Sequence, residues 1–234
     1  MRCLASIALL LAASPALAAE RTYSVGSYDR LRIDGPFEVH VVAGGSPRAS
    51  AKGSDAMLSR LDLHVEGTTL TVRLGPGGWG ETPKAAASRT PMVVTLSTPM
   101  LNTILLSAGA QVTASKVSAQ RLELAVNGAG TLAVDGVQAD QLGAVLTGTG
   151  TLRLSGRANR ARLASSGSGT IDAGALTVSE LTVHLDGTGE TRVNARYTAQ
   201  VTTTGLGKVT VLGSAKCTVK ALADGPVICG AGAN

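Results

Sequence analysis

Aromatic side chains are nearly missing from this sequence, which holds one Trp, one Phe and three Tyr in 234 residues. Proteins that read RNA or single-stranded DNA stack bases on such rings, so nucleic acid is not the expected partner. Charge is scarce too: Asp, Glu, Lys and Arg make up 16% of the chain against 44% apolar residues. That balance excludes a disordered polyelectrolyte, and the chain should fold. The formal net charge is +5, but the basic residues are scattered, without the run that marks a nucleic-acid or anionic-lipid patch. Only three His occur, His40, His64 and His184. They stand far from Cys217 and Cys229 with no ligand spacing, so no metal and no cofactor is expected. No later segment offers ~20 consecutive apolar residues for a membrane span.

The first residues have the make-up of an export signal. Arg2 gives a positive start, Leu4 to Ala13 is a small-apolar run broken only by Ser6, and Ala16-Leu17-Ala18 is a small-x-small cleavage site. Residues 1–19 are therefore assigned as a signal peptide cut after Ala18 or Ala19, and 20–234 as one exported domain, soluble once cleaved. In an oxidising compartment Cys217 and Cys229 can form a disulfide at the end of the fold or remain two buried thiols.

What the chain has in excess is glycine, 29 residues in all, and much of it is periodic. Gly128-Ala129-Gly130, Gly148-Thr149-Gly150, Gly167-Ser168-Gly169, Gly187-Thr188-Gly189 and Gly205-Leu206-Gly207 recur at steps of 20, 19, 20 and 18 residues. Ala108-Gly109-Ala110 precedes them and Gly225 follows, each by a further 20, which makes seven marks. On both sides of a mark apolar residues alternate, as in Leu124 and Val126 before Gly128 and Leu132 and Val134 after it. Period two around a glycine corner reads as strand, turn, strand with one face inward. A 20-residue unit cannot enclose its own apolar face, so the units must stack, ~4.8 Å per layer, as coils of parallel strands. The corner glycines are then structural: a side chain there would meet the same corner above and below. Ser107, Asn127, Thr147, Ser166, Asp186, Thr204 and Asp224, one before each mark, read as a polar turn column. Arg153, Asp172 and Arg192 fall on neighbouring layers as an alternating charge column.

A secreted chain with such tandem marks resembles the bacterial family described as putative auto-transporter adhesin, head GIN domain. The resemblance extends to Arg32-Ile33-Asp34-Gly35-Pro36-Phe37-Glu38-Val39-His40-Val41, to Leu70-Thr71-Val72-Arg73-Leu74, and to the lead-in around Met92 to Leu96 and Pro99-Met100-Leu101. It spans roughly Tyr28 to Gly225. It implies an all-β, single-stranded right-handed parallel β-helix and a role in adhesion, and it supplies no catalytic residues. Residues 20–98, with shorter and irregular strands, are expected to be the opening coils and an irregular N-terminal cap, and 99–234 the regular coils. Ser54 to Leu61 has room for one helical turn. Gly75 to Thr90 reads as an exposed loop.

Several motifs compete with this scaffold reading. Gly75-x-Gly77-x-x-Gly80 matches a dinucleotide fingerprint literally, but Pro83 interrupts any helix and no βαβ unit surrounds it. Gly205-Leu206-Gly207-Lys208 fails as a phosphate loop because Val209 stands where Ser or Thr is needed. Trp79, the only Trp, is the candidate binding residue, able to stack on a sugar or to fold back on the rod. Asp186, Glu190 and His184 could in principle form an acid–base cluster, yet neighbouring layers carry Ser166 and Thr170 or Thr204 and Lys208 there. The leading expectation is an exported, non-enzymatic interaction module, periplasmic or on the surface, binding an envelope or surface component, protein or glycan, with self-association open. The alternatives are a β-helix carbohydrate-active enzyme and a purely structural periplasmic protein.

Overall fold

Alternating small apolar residues punctuated by glycine corners build strands that bend and continue. The computed structural model describes residues 19–75 and 92–230. Most of the expected signal peptide, and Trp79 with the Gly75–Thr90 loop beyond Gly75, lie outside them. The strands are β1 (Ala19–Tyr23), β2 (Arg30–Asp34), β3 (Glu38–Ala43), β4 (Arg48–Gly53), β5 (Leu61–Glu66), β6 (Thr69–Leu74), β7 (Val93–Thr98), β8 (Thr103–Ser107), β9 (Gln111–Ser115) and β10 (Ser118–Gly128). They continue as β11 (Thr131–Gly148), β12 (Thr151–Gly167), β13 (Thr170–Gly187), β14 (Glu190–Thr203), β15 (Lys208–Leu212), β16 (Lys216–Ala221) and β17 (Val227–Cys229). One helical turn, α1 (Asp55–Leu58), links β4 to β5, where the sequence left room for one.

The fold is an all-β solenoid with a mixed sheet at its N-terminal end. Its first wall stacks, all in parallel, β6, β2, β8, the end of β10, the second halves of β11 to β14, and β16. Its second wall stacks β7, β3, β9, the first halves of β11 to β14, then β15 and β17. A short third wall forms in the central coils, where Ser118, Gln138, Arg157 and Thr177 lie side by side. Each glycine mark is the corner between first and second walls.

The inward columns are apolar almost without exception. On the first wall Ile104, Leu124, Ala144, Leu163, Val183 and Val201 stack in register. On the second, Val112, Leu132, Leu152 and Ile171 do the same. All of these are buried. Thr98, Ser165, Thr191 and Thr203 are polar exceptions; the Thr98 and Thr203 hydroxyls donate to backbone carbonyls, whereas those of Ser165 and Thr191 have no hydrogen-bond partner among the described residues. Burial of like on like along the whole axis is the main stabilising contribution, at ~25 cal/mol per Å² of apolar surface.

Corners are held by backbone. Thr149 N donates to Gly128 O at 3.1 Å, Thr151 N to Gly130 O at 2.9 Å and Lys208 N to Gly189 O at 3.0 Å, so each corner's carbonyls serve the next corner. A Cβ added to Gly150 would sit 2.5 Å from Gly130 O, which is why glycine is needed. The polar column before the corners stacks as Asn127, Thr147, Ser166 and Asp186. One side-chain link within it is the Thr204 hydroxyl, which donates to Asp186 Oδ1 at 3.1 Å.

At the N-terminal end stacking order departs from chain order. The coil of β2 and β3, first in sequence, lies between the β6–β7 coil and the β8–β9 coil. Asp29 fastens it on both sides: its N–H donates to Thr68 O at 3.1 Å, its carbonyl accepts from Asn102 N at 2.7 Å, and its Oδ2 accepts from Asn102 Nδ2 at 3.0 Å. The end of the stack is finished by antiparallel strands, β5 on β6 and β4 then β1 on β7. Helix α1 crosses from one wall's edge to the other and adds Leu58 to the core. Arg73 Nε donates to Asp62 Oδ2 at 2.8 Å across β5 and β6, and that hydrogen bond holds the Asp62 carboxyl below the usual range. At the opposite end Cys217 continues the Ala199 column, Cys229 continues the Val211 column, and the two are joined as a disulfide.

Candidate functional site

The acid–base residues suggested by sequence are not assembled for catalysis. Asp186 and Glu190 flank one corner, but each engages the next coil: Asp186 accepts from Thr204, and Glu190 lies 3.6 Å from Lys208 Nζ. His184 is exposed and stands in register between Ala164 and Thr202. The Lys208 of the false phosphate loop is the same one that meets Glu190. His40 and His64 each face the carboxylate two residues earlier on their own strand, Glu38 at 3.1 Å and Asp62 at 3.4 Å. No group of three metal-ligating side chains converges among the described residues.

Two grooves adjoin where the third wall meets the first. One groove of about 570 Å³ runs over the third wall and is lined by Ser118, Gln120, Gln138, Asp140, Arg157, Asn159, Thr177, Ser179 and Arg196, among others. A second of about 470 Å³ adjoins it on the outer face of the first wall, with Arg121, Glu123, Gln141, Arg160, Arg162, Glu180, Thr198 and Gln200 in its lining. Within the first wall, alternation along a strand puts Ala161 and Leu163 in the core and Arg160 and Arg162 on the skin, while consecutive outward residues such as Asn159 and Arg160 mark the corner between the third and first walls.

Together the two linings carry five arginines, Arg121, Arg157, Arg160, Arg162 and Arg196, against three carboxylates, Glu123, Asp140 and Glu180. Arg121 is held by Gln141 Oε1, at 3.2 Å from Nε and 3.0 Å from Nη2, and Asp140 by Asn159 Nδ2 at 3.0 Å. Arg157, Arg160, Arg162 and Arg196 make no ion pair among the described residues, although pairs form elsewhere, such as Arg73 with Asp62 and Lys52 with Glu20. Glu123 leans over the outward-facing Gly143: a Cβ there would lie 2.8 Å from its Cδ.

Sequence reading missed this surface because its arginines are dispersed along the chain. The signal was available in the layer arithmetic: Arg160 and Arg162 fall two and four residues after Ala158, itself one coil beyond Ala139, and Arg196 is set by the next two coils. The Arg153, Asp172 and Arg192 column was legible and does stack. It forms no ion pair among the described residues; Asp172 Oδ1 instead accepts from Gly174 N at 3.3 Å, because a short aspartate beside a turn reaches its own backbone more readily than the guanidinium of the next layer.

Residues 27–215 match the family described as "Putative auto-transporter adhesin, head GIN domain". The chain belongs to this family. Solved structures place the GIN domain among relatives of the same architecture. A protein described as a putative adhesin from Bacteroides fragilis superposes with a TM-score of 0.81 at 20% identity, covering 92% of this chain and 97% of that one. Another so described, from Parabacteroides distasonis, gives 0.71 at 18% identity, with 90% and 95% covered. A third, described as a putative lipid binding protein from Parabacteroides distasonis, gives 0.69 at 16% identity, with 91% and 96% covered. No curated protein matches this GIN-domain chain.

Proposed function

We propose that this chain is an exported, non-enzymatic interaction module of the cell envelope or surface, acting in adhesion. The observation that carries the reading is a regular stack whose skin bears grooves with four arginines uncommitted to any ion pair, while the residues that might have formed an acid–base pair, Asp186 and Glu190, are each bound to the adjacent coil. Membership of a family described as adhesins, which implies a secreted or surface location, supports it. A partner would meet the outward strand faces, and Trp79 could add a contact.

The test is saturable binding of the purified chain from residue 20 onward to intact cells and isolated envelopes. Saturation is expected, with Trp79→Ala compared alongside to measure what that side chain adds. Failure to bind any envelope component would remove the adhesion reading.

A further inference from the structure

We propose that the two adjoining grooves bind an acidic polysaccharide, one that bears carboxylates along a hydroxyl-rich chain. This deepens the adhesion reading and rests on it.

Three observations converge. The first is length. Ser118, Gln138, Arg157, Thr177 and Asn194 register across five successive coils, so the trough runs four steps of ~4.8 Å, roughly 19 Å. Such an open channel suits an extended polymer rather than a small molecule enclosed on all sides. The second is charge. Arg157, Arg160 and Arg162 project from one coil and Arg196 from the second coil beyond, none of them in an ion pair among the described residues. Guanidinium forks match carboxylates with two parallel hydrogen bonds. The third is the polar lining: no aromatic side chain is among the lining residues, and the ring beside them, Tyr197, lies under the Arg196 guanidinium at 5.5 Å from its centroid. Neutral sugars and single-stranded nucleic acids are gripped largely on ring faces; with the neighbouring Tyr197 ring engaged by Arg196, affinity must come mainly from charge and from the amides and hydroxyls between the arginines. Glu123, lying across Gly143 in the same column as Arg162, opposes an anion there and sets the affinity below what the arginines alone would give.

The experiment measures binding of the purified chain to polyuronate, with dextran, single-stranded DNA and anionic phospholipid vesicles as comparison probes. Arg160→Gln with Arg162→Gln is set against Arg153→Gln with Arg192→Gln, an equal loss of charge on the second wall. Polyuronate is expected to bind more tightly than the other three, with affinity falling as salt rises because exposed charges are screened within about 8 Å at physiological ionic strength. The groove pair should lose at least tenfold and the second-wall pair less than twofold. Should the groove pair fail to fold, Glu123→Gln decides, and it is expected to tighten binding at least twofold. Equal losses in the two pairs, a polyuronate affinity no better than dextran, or a preference for DNA or vesicles overturns the proposal. If cells still bind the wild-type chain and excess polyuronate does not compete, the groove assignment fails while the adhesion reading stands; if polyuronate binds and cells do not, the reverse holds.

Discussion

Individual residues in a stacked fold are judged by what lies directly above and below them. Gly167 and Gly128 occupy equivalent corners with φ of +114° and +95°, yet their surroundings differ. A Cβ on Gly167 would lie 2.5 Å from Gly148 O, whereas one on Gly128 meets nothing within 4 Å. Gly128→Ala should therefore cost only the backbone strain, about 1–2 kcal/mol, while Gly167→Ala adds a forced separation of two corners and should cost clearly more. Denaturant midpoints of the two variants test this, and equal losses would contradict it. The opposite sign is expected at Thr191, whose buried hydroxyl lacks a partner in a column between Ile171 and Val209. Thr191→Val keeps the branched shape and removes an unsatisfied polar group, so a gain of about 1 kcal/mol is expected in the same measurement.

At the scale of elements, the last coil is the exception to the rule that a coil is covered on both faces. Strand β16 is exposed along most of its length, and Val219 remains 44% exposed although it continues the inward column of Val201. The disulfide does there what core packing does elsewhere, tying the two walls together at inward positions. A closed loop with a sequence separation of 12 restricts the unfolded segment by roughly 3 kcal/mol. Replacing both cysteines with alanine should raise hydrogen exchange across 216–229 while leaving the central coils of β11 to β13 protected, because each coil is stabilised by its neighbours only. The regular coils were legible in sequence, since the seven marks and the inward alternation fix both period and facing. The insertion of β2 and β3 between later coils was not. Arg32-Ile33 and Thr71-Val72 alternate alike, and nothing local records that they pair with each other or that Arg32-Ile33 pairs on its other side with Leu105-Leu106. The arginine grooves were hidden for a related reason, as Arg157 and Arg196 become neighbours in one trough only once the coils are stacked.

For the whole molecule, stability as a sum of nearest-neighbour interfaces has a direct consequence: a coil can be removed if the cut respects the period. Thr131–Gly150 is one complete coil, since Thr131 registers with Thr151 above and with Gln111 below. Deleting these 20 residues sets Thr151 on Gln111 and Leu152 on Val112, so that every inward column continues. On the skin it places Arg160 beside Arg121 and Arg162 beside Glu123, one repulsive and one attractive exposed contact of about 0–1 kcal/mol each that nearly offset. The shortened chain is expected to unfold in a single cooperative transition with a midpoint only modestly lowered, and to be shorter by ~4.8 Å in solution scattering. Deleting ten residues instead, Thr131–Asp140, would lay a first-wall strand on the second wall and leave the corner glycines without partners. Loss of folding is the expected result. If both deletions abolish folding equally, the coils are not exchangeable units, and the stack depends on a long-range order that nearest-neighbour packing does not supply.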